Sequence, residues 1–285
     1  MRNRLSKLIL LDIDGTLRDE RFGVPESIPK VLKLCKKQHY NVGICTGRGV
    51  GMIQEDVKKL NIQTLIAGGG SYIAHEGVII KDESFDWRKI EKIWNSILIN
   101  ETQIACSLES QDKIFMNQSA VNILSEMNRR KCERLTNEQR QYFEQQQTII
   151  YENNFKQFLA RFYPIHKICL WCQPEDFQIV KDILGEEHIM LAQKGRWEQY
   201  HYYEIIKKGS NKGNAIEELC RYMEIAQKDT IAFGDGKNDI DMFKSSGVGV
   251  AMKNSDSELL MFADSVCETP MEDGIYKELK RRSLI

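Results

Sequence analysis

The sequence predicts an α/β protein with a Rossmann-like parallel-sheet core, into which a separate α+β cap domain is inserted. Near both ends of the chain, short apolar runs alternate with amphipathic helical segments, which is the rhythm of right-handed βαβ units. Between these stretches the segments are shorter and more polar, with many aromatic residues. We therefore predict a discontinuous core over residues 1–83 and 202–285 and a cap over residues 84–201.

The first half of the predicted core begins with the apolar run Leu8–Leu11, which is typical of a strand buried on both faces of a parallel sheet. Further runs of this kind alternate with apolar residues at helical spacing. The elements predicted after the first strand are a helix around Ile28–Cys35, a strand at Val42–Cys45, a helix through Val50–Leu60, a strand at Thr64–Ala67 and a hairpin over Ser71–Lys81.

The predicted cap contains amphipathic helices and short strands, and the second half of the core then repeats the first rhythm. The cap elements are a helix over Trp87–Leu98, a polar helix face at Gln139–Gln147, a strand at Ile165–Trp171, a helix through Phe177–Leu184 and a strand at His188–Ala192. The later core elements are a helix over Lys212–Met223, a strand at Thr230–Phe233, a helix ending at Phe243, a strand at Val248–Ala251 and helices near Ser255–Ala263 and Asp273–Arg281.

Composition restricts the kinds of partner that this chain of 285 residues takes. Its 42% hydrophobic and 28% charged residues are ordinary for a soluble globular protein. A formal net charge of −1 argues against a broad basic surface for nucleic acid or anionic lipid. No apolar run approaches the ~20 residues of a membrane span. We expect a cytoplasmic monomer or homodimer with no nucleic-acid partner and no membrane partner.

The eight cysteines favour a reducing compartment, because several of them lie within apolar segments, as small core residues do. Cys169 and Cys172 form a single Cys-x-x-Cys without a second pair at zinc spacing, so the sequence favours reduced core cysteines over a metal or redox site. His166 and His188 are interpreted as structural or surface residues.

Two carboxylates follow the first predicted strand at once, at Asp12 and Asp14. Because they are one residue apart on an extended segment, both point to the same side, and Gly15 then allows a sharp turn. In open α/β sheets the carboxyl end of the strands is where ligands bind. Taken alone, the pair is equally well explained as an acidic turn that caps the next element, so other parts of the chain must decide.

Further reactive groups stand at other strand ends or helix starts. Thr46 follows the second strand, Lys212 opens a helix, and Asp235, Asn238 and Asp239 follow the strand at Thr230–Phe233. Oxygen ligands of this kind suit Mg²⁺ better than zinc. An acidic cluster that holds a divalent cation, together with a lysine and a hydroxyl group, predicts a site for a phosphate group.

Four motifs resemble, in order, those of the haloacid dehalogenase (HAD) superfamily. They read Asp12-Ile-Asp14-Gly-Thr-Leu, Thr46-Gly-Arg48, Lys212-Gly and Gly234-Asp-Gly-x-Asn-Asp-x-x-Met242. The match is closest to the Cof-type, sugar-phosphatase-like branch, whose large cap is inserted between the second and third motifs. It continues through Gly247–Met252 and near Asp273, whereas the cap resembles that branch only in position and size.

The resemblance implies a role for each matching residue. Asp12 would be the nucleophile that forms an aspartyl-phosphate, and Asp14 would protonate the leaving oxygen and then activate water. Mg²⁺ would be held by the Asp12 carboxylate, the Asp14 backbone carbonyl and Asp235, with Asn238 and Asp239 as direct or outer partners. The catalytic set is Asp12, Asp14, Thr46 and Lys212, and the substrate-binding set is Thr46, Gly47, Arg48, Gly69, Gly70, Lys212 and Asn238.

Two positions depart from the pattern of this branch. Gly69 stands where the branch usually has an asparagine near the phosphate, so that backbone amides would have to replace an amide side chain. Lys253 replaces a usual glycine, and we interpret it as a solvated residue rather than part of the site rim.

Specificity is expected to come from the cap, which closes over the core in such enzymes. Aromatic and basic residues cluster near its end, and alternate members of this segment are equally well explained as core of the cap. The candidates are Lys194, Arg196, Trp197, Tyr200, His201 and Tyr202.

The predicted function is a Mg²⁺-dependent phosphatase that hydrolyses small phosphorylated metabolites, either sugar phosphates or phosphorylated cofactors, through an aspartyl-phosphate. One alternative is a phosphomutase, which shares the nucleophile and the acid but returns the phosphoryl group to a sugar. Another is a catalytically weak regulatory protein that binds a phosphate ligand, for which Gly69 is the sequence support.

Overall fold

The computed structural model describes residues 7–99, 103–146, 152–191, 196–197 and 200–285, which form a core and a cap with one sheet each. The first half of the core contains β1 (Leu8–Leu11), α1 (Ser27–Lys37), β2 (Asn41–Cys45), α2 (Glu55–Lys58), β3 (Thr64–Ala67), β4 (Tyr72–His75) and β5 (Val78–Asp82).

The cap follows, and the chain then returns to the core. The cap contains α3 (Trp87–Ile99), β6 (Ala105–Glu109), β7 (Ile114–Met116), α4 (Gln118–Glu133), α5 (Asn137–Gln146), β8 (Lys167–Cys172), α6 (Pro174–Leu184), β9 (His188–Leu191), β10 (Arg196–Trp197) and β11 (Tyr200–Lys207). The second half of the core contains α7 (Lys212–Tyr222), β12 (Thr230–Gly234), α8 (Ile240–Lys244), β13 (Val248–Met252), α9 (Ser257–Leu260), β14 (Ser265–Cys267) and α10 (Gly274–Arg281).

The core sheet has the strand order β14-β13-β12-β1-β2-β3-β4-β5, with parallel pairing from β14 to β3 and an antiparallel hairpin at β4 and β5. Residues Leu8 and Leu10 of β1 pack into an apolar cluster with α7 and α8. The alternate residues Ile9 and Leu11 pack into a second cluster with α1 and α10. Because β1 is covered on both faces, its residues form a continuous apolar run. The predicted α/β parallel-sheet core is confirmed.

The helix predicted through Val50–Leu60 is wrong. The segment forms a 3-10 turn at Val50–Met52 and the short helix α2, and the extended residues Ile53 and Gln54 separate them (ψ 129° and 153°). This break brings Gln54 Nε2 to 3.3 Å from Asp14 Oδ1. Apolar spacing did not reveal the break, because Ile53 and Val57 are both buried although the helix is interrupted between them.

The helix predicted at Ser255–Ala263 is shortened to α9. The Asp256 side chain accepts a hydrogen bond from the Glu258 N–H at 2.8 Å, which begins the helix at Ser257.

The cap sheet is antiparallel, with the strand order β10-β11-β8-β6-β7 and with β9 also paired to β11. One face packs on α3 and α6 through a large apolar cluster, and α4 packs on part of the other face. The predicted α+β cap, inserted between the two halves of the core, is confirmed.

The boundary between the cap and the second half of the core lies near β11. This strand pairs with β8 from His201 to Ile206, so it belongs to the cap sheet over that length. We propose that the cap extends to Lys207 and that the core resumes with α7.

No helix within the described ranges has both the length and the apolar character that crossing a bilayer requires.

Candidate active site

Asp12 and Asp235 lie at the same edge of the core sheet because each follows one of two neighbouring parallel strands. Leu11 of β1 is opposite Phe233 of β12, so both acidic loops leave the sheet side by side. Gly15 turns the first loop with a left-handed φ of 79°, and a Cβ added there would lie 2.3 Å from Asp235 Oδ2. Glycine is therefore required where the two loops meet.

Lys212 lies between two buried carboxylates. It is the first residue of α7, whose start is capped by the Asn211 side chain, an acceptor for the Asn214 N–H at 2.7 Å. Lys212 Nζ donates to Asp12 Oδ1 at 2.6 Å and to Asp239 Oδ1 at 2.5 Å. The lysine is 2% exposed, so this pairing is little screened by water.

Asp239 joins the loop after β12 to the start of α7. Its Oδ1 accepts the hydrogen bond from Lys212, and its Oδ2 accepts from the N–H groups of Asp235 and Gly236, both at 3.0 Å. Asp239 is 0% exposed. Because both of its oxygens are engaged by the protein, Asp239 positions the loop and Lys212.

The acidic groups of the site have perturbed proton affinities. Burial raises the pKa of the Asp12 carboxyl above its usual value and outweighs the opposing effect of Lys212. Burial likewise raises the pKa of Asp235 to about 6, although the Thr16 hydroxyl donates to its Oδ1 at 2.9 Å. Burial alone would lower the pKa of Lys212, but the carboxylates of Asp12 and Asp239 raise it. One lysine does not neutralise all the carboxylates of this site.

The donor set of this cluster fits a hard divalent cation. Among the described residues, Asp12, Asp235 and Asp239 offer carboxylate oxygens that all lie within 4.8 Å of one another. Oxygen donors favour the harder divalent ions over zinc. Since both oxygens of Asp239 are already bonded, Asp12 and Asp235 are the side chains available to such an ion.

Asp14 is held by an arginine from the loop after β2. Arg48 donates from Nε to Asp14 Oδ2 at 2.5 Å and from Nη2 to Asp14 Oδ1 at 2.9 Å, and Gln54 adds a third donor. The third nitrogen of Arg48, Nη1, donates to the Met52 carbonyl oxygen at 3.3 Å. Burial alone would raise the pKa of Asp14, but Arg48 lowers it below its usual value. Asp14 is therefore ionised in this arrangement.

A cavity of about 530 Å³ lies between this edge of the core sheet and the cap sheet. This volume lies in the range that is usual for binding sites of small molecules. The core contributes Asp12, Asp14, Thr46, Gly47, Arg48, Met52, Asp235, Gly236 and Asn238. The cap contributes Ser107, Glu109, Met116, Leu124, Met127, Lys167, Cys169, Trp171, Tyr202 and Glu204.

A sequence profile of haloacid dehalogenase-like hydrolases matches residues 9–279, nearly the whole chain. The chain belongs to this family. Its membership confirms the resemblance that the four motifs carry, and with it the expected class of enzyme, since the similar curated proteins are named as phosphatases.

Three similar proteins cover almost the full length. The putative phosphatase YkrA of Bacillus subtilis is 25% identical and covers 98% of this chain and 99% of its own. The 5-amino-6-(5-phospho-D-ribitylamino)uracil phosphatase YitU of the same organism is 23% identical, with 96% of each chain covered. The solved structure of BT4131, a HAD subclass IIB sugar phosphatase, aligns with a TM-score of 0.72 at 22% identity, over 98% of this chain and 100% of that one. This last likeness supports the HAD fold.

Most of the site residues predicted from the HAD motifs lie around the cavity. Seven of them line it, namely Asp12, Asp14, Thr46, Gly47, Arg48, Asp235 and Asn238. Lys212 and Asp239 lie buried beside Asp12.

Gly69 and Gly70 are placed differently from the other predicted residues. Neither is among the residues that line the cavity. The Gly69 N–H donates to the Thr46 carbonyl at 3.1 Å, so it is not available to a phosphate oxygen. This arrangement does not support the prediction that Gly69 and Gly70 contact the substrate, and they instead shape the turn between β3 and β4.

Of the predicted cap candidates, Tyr202 lines the cavity, whereas Tyr200 and His201 are not among the described lining residues. The structure describes only the backbone of Arg196 and Trp197, and Lys194 lies outside the described residues. The sequence analysis missed nine cap residues that line the cavity, namely Ser107, Glu109, Met116, Leu124, Met127, Lys167, Cys169, Trp171 and Glu204. For those on β6, β8 and β11, the signal was the polar-apolar alternation of these strands.

Among the remaining residues that the sequence analysis discussed, Cys169 lines the cap side of the cavity. Cys169 and Cys172 are three residues apart on β8 and therefore point to opposite faces of the cap sheet, where they cannot share a metal ion. His166 is 4% exposed, and its Nε2 lies 2.5 Å from Asp82 Oδ1, as expected of a structural histidine. Lys253 lies at the surface, where it pairs with a glutamate at 2.7 Å. The structure describes only the backbone of His188.

Proposed function

We propose that this HAD hydrolase is a Mg²⁺-dependent phosphatase that hydrolyses small phosphorylated metabolites through an aspartyl-phosphate. The observation that carries the proposal is the placement of Asp12, a buried carboxylate that faces the cavity and is bonded to the Lys212 ammonium group at 2.6 Å. A carboxylate in such a position can act as a nucleophile towards a phosphoryl group in the cavity, while the Lys212 ammonium group balances its charge.

Asp12 attacks phosphorus in the first step. A bond forms between one Asp12 oxygen and phosphorus, and the bond from phosphorus to the ester oxygen breaks. The leaving oxygen takes a proton from Asp14, and Asp14 then takes a proton from the water that hydrolyses the aspartyl-phosphate. Free phosphate is released and Asp12 is restored.

The Asp14 carboxyl must bind a proton before it acts as the acid. In the described arrangement Arg48 keeps it ionised through two hydrogen bonds. A phosphoryl group at Asp12 offers Arg48 competing anionic oxygens, because both Asp14 and Arg48 line the same cavity. Transfer of Arg48 from Asp14 to the phosphoryl group would return the proton affinity of Asp14 towards that of a buried carboxyl.

The other predicted residues bind the phosphoryl group or the cation. The Thr46 hydroxyl, the Gly47 backbone and the Asn238 amide line the cavity around Asp12 and supply neutral donors. We assign the Mg²⁺ ligands to the carboxylates of Asp12 and Asp235 and the backbone carbonyl of Asp14. A cation held by these groups would neutralise the charge of the phosphate group, so that the Asp12 carboxylate could approach it.

The relatives support a small phosphorylated substrate. YitU is named for a phosphorylated ribityl compound and BT4131 for sugar phosphates. The cavity of about 530 Å³ has room for a leaving group of that size. A substrate of this kind would place its phosphate against the core and its leaving group against the cap.

Release of free phosphate from a panel of phosphorylated metabolites, measured with Mg²⁺ and with EDTA, tests this function. We expect metal-dependent release from a few related esters, without any bisphosphate activator. A need for such an activator would indicate a phosphomutase. Binding of phosphorylated compounds without turnover, with the metal bound, would indicate a regulatory protein and contradict the proposal.

A further inference from the structure

The cap sheet presents a polar face to the cavity. Glu109 of β6 is directly opposite Lys167 of β8, and Ser107 is opposite Cys169. Cys169 is in turn opposite Glu204 of β11. Since side chains alternate along each strand, these residues share one face, while the residues between them pack into the apolar cluster with α3 and α6.

Lys167 is the positive member of the three charged groups on this face, and its charge interacts with Glu109 as well as with Glu204. Lys167 Nζ lies 3.1 Å from Glu204 Oε1, and the Tyr202 hydroxyl donates to Glu204 Oε2 at 3.3 Å. Burial alone would lower the pKa of Lys167, but the surrounding acidic groups raise it, so the lysine is charged. Both carboxylate oxygens of Glu204 therefore have a partner, an ion pair on one and a hydrogen bond on the other.

Glu109 is the charged group on this face that lacks a full set of partners. It is 4% exposed, and its Oε1 accepts only a weak hydrogen bond from Cys169 Sγ at 3.4 Å. Its Oε2 is buried and has no hydrogen-bond partner within the part of the chain that the structure describes. A buried carboxylate oxygen without a donor is costly, so we expect a ligand to supply the donor.

The free oxygen of Glu109 lies close to the core loop after β2. A Cβ added at Gly49, in the loop that carries Thr46 and Arg48, would lie 3.4 Å from Glu109 Oε2. The hydrogen bonds that Arg48 makes within the described part of the chain go to Asp14 and Met52, and Arg48 interacts with Glu109 only through the attraction of their charges. Glu109 thus lies on the cap side of the cavity, where the leaving group of a substrate is expected.

We propose that Glu109 selects the leaving group: Oε2 accepts a hydrogen bond from a hydroxyl group, and its charge rejects a second anionic group. This inference rests on the proposed phosphatase function. A hydroxyl donor fits better than an ammonium group, because Lys167 is the direct cross-strand neighbour of Glu109 and would repel a cation. The substrate is then a phosphate ester of a neutral compound rich in hydroxyl groups.

The variant Glu109→Gln tests this assignment with two matched esters. Glucitol 6-phosphate and 6-phosphogluconate share a carbon chain and differ at one end, where the first has a hydroxymethyl group and the second a carboxylate. We expect the wild-type protein to prefer glucitol 6-phosphate. Glu109→Gln should lower kcat/KM for it about 10- to 100-fold, the range for a hydrogen bond to a charged group, and should raise kcat/KM for 6-phosphogluconate.

Two controls separate recognition from catalysis. Hydrolysis of 4-nitrophenyl phosphate, which has no aliphatic hydroxyl group, should change less than about threefold in Glu109→Gln, because Asp12 and Asp14 are untouched. Glu133→Gln removes the same charge from an exposed position on α4 of the cap and should behave as wild type with every ester. Equal behaviour of Glu109→Gln and Glu133→Gln with the matched pair would overturn the inference.

Binding distinguishes a failure of this inference from a failure of the proposed function. If the wild-type protein hydrolyses none of these esters, calorimetric titration of wild type and Glu109→Gln with glucitol 6-phosphate shows whether Glu109 contributes to binding. Weaker binding by the variant supports the role of Glu109 while the phosphatase function fails. Equal binding, or no binding by either protein, overturns the role of Glu109 as well.

Discussion

Lys212 bonds to two buried carboxylates at once, and this shared cation determines the effect of removing the nucleophile. In Asp12→Asn, the ammonium group keeps Asp239 Oδ1 as a partner at 2.5 Å, and one of the repelling carboxylates loses its charge. We expect turnover to fall below detection while the free energy of unfolding in EDTA stays within about 1 kcal/mol of wild type.

Phosphate release and urea denaturation measure these two effects for Asp12→Asn. Asp241→Asn, at an exposed position on α8, is the matched control and should keep both activity and stability. Activity retained in Asp12→Asn would show that another group attacks phosphorus.

Arg48 sets the proton affinity of the proposed acid, Asp14. Burial raises the pKa of Asp14 and Arg48 lowers it, so Arg48→Gln should raise this pKa. An acid works below its pKa, and therefore the alkaline decline of kcat/KM should move to higher pH with an alkyl phosphate as substrate.

The leaving group provides the control for Arg48→Gln. The same limb of the pH profile should not move with 4-nitrophenyl phosphate, whose leaving phenolate needs little help from an acid. Arg129→Gln, at an exposed position on α4, should leave both profiles unchanged. Identical profiles of Arg48→Gln and wild type with the alkyl phosphate would mean that Arg48 does not control Asp14.

At the scale of elements, the turn after β3 supports the start of α7. Gly70 has a φ of 100°, and a Cβ added there would lie 2.3 Å from the Asn211 carbonyl oxygen, next to Lys212. Gly70→Ala should therefore destabilise the protein by about 2–4 kcal/mol in urea denaturation and lower activity by displacing Lys212. Gly69 has room around it, since the nearest side-chain atom to its added Cβ is 3.6 Å away.

Two substitutions separate backbone strain from the clash at Gly70. Gly77→Ala, with a φ of 79° and no atom within 4 Å of the added Cβ, should cost only about 1 kcal/mol. Gly69→Asn, which restores the residue usual in the branch at a left-handed position that asparagine tolerates, should also cost at most about 1 kcal/mol. A Gly70→Ala variant as stable as Gly77→Ala would show that the turn moves freely relative to α7.

Strands and helices with a clear local sequence pattern could be predicted. A break that depends on a contact with a residue distant along the chain could not. Leu8–Leu11 is apolar at every position because both faces of β1 are covered. The segment after Gly49 has helical apolar spacing, yet it breaks at Gln54, whose side chain reaches Asp14 across the fold. No local pattern contains that long-range hydrogen bond.

At the scale of the whole molecule, the core side of the cavity was predictable and the cap side was not. Asp12, Asp14 and Asp235 occupy strand ends whose meeting place follows from a parallel sheet. Glu109, Lys167 and Glu204 meet only through the pairing of three antiparallel strands that are distant along the chain, and alternation in one strand does not give the register of the next.

Stability should depend on metal and pH together, because the cation site is built from carboxyls that bind protons tightly. Burial raises the pKa of Asp235 to about 6 and that of Asp12 also above the usual value. Between the usual carboxyl pKa of about 4 and these values, the folded protein holds protons that the unfolded chain has released. The contribution of these groups to metal-free stability is therefore lost as the pH rises.

Mg²⁺ should reverse this trend, since it binds the deprotonated carboxylates of the folded state. We expect the rise in Tm on addition of Mg²⁺ to be larger at pH 8 than at pH 6, where protons compete for Asp235. Thermal unfolding at both values, with EDTA and with Mg²⁺, measures it. In Asp235→Asn the Mg²⁺ effect should be largely lost at both values, and the metal-free protein should lose less stability than wild type between pH 5 and pH 7 in EDTA. A Mg²⁺ effect that is equal at the two values in wild type, or that persists in Asp235→Asn, would place the cation elsewhere.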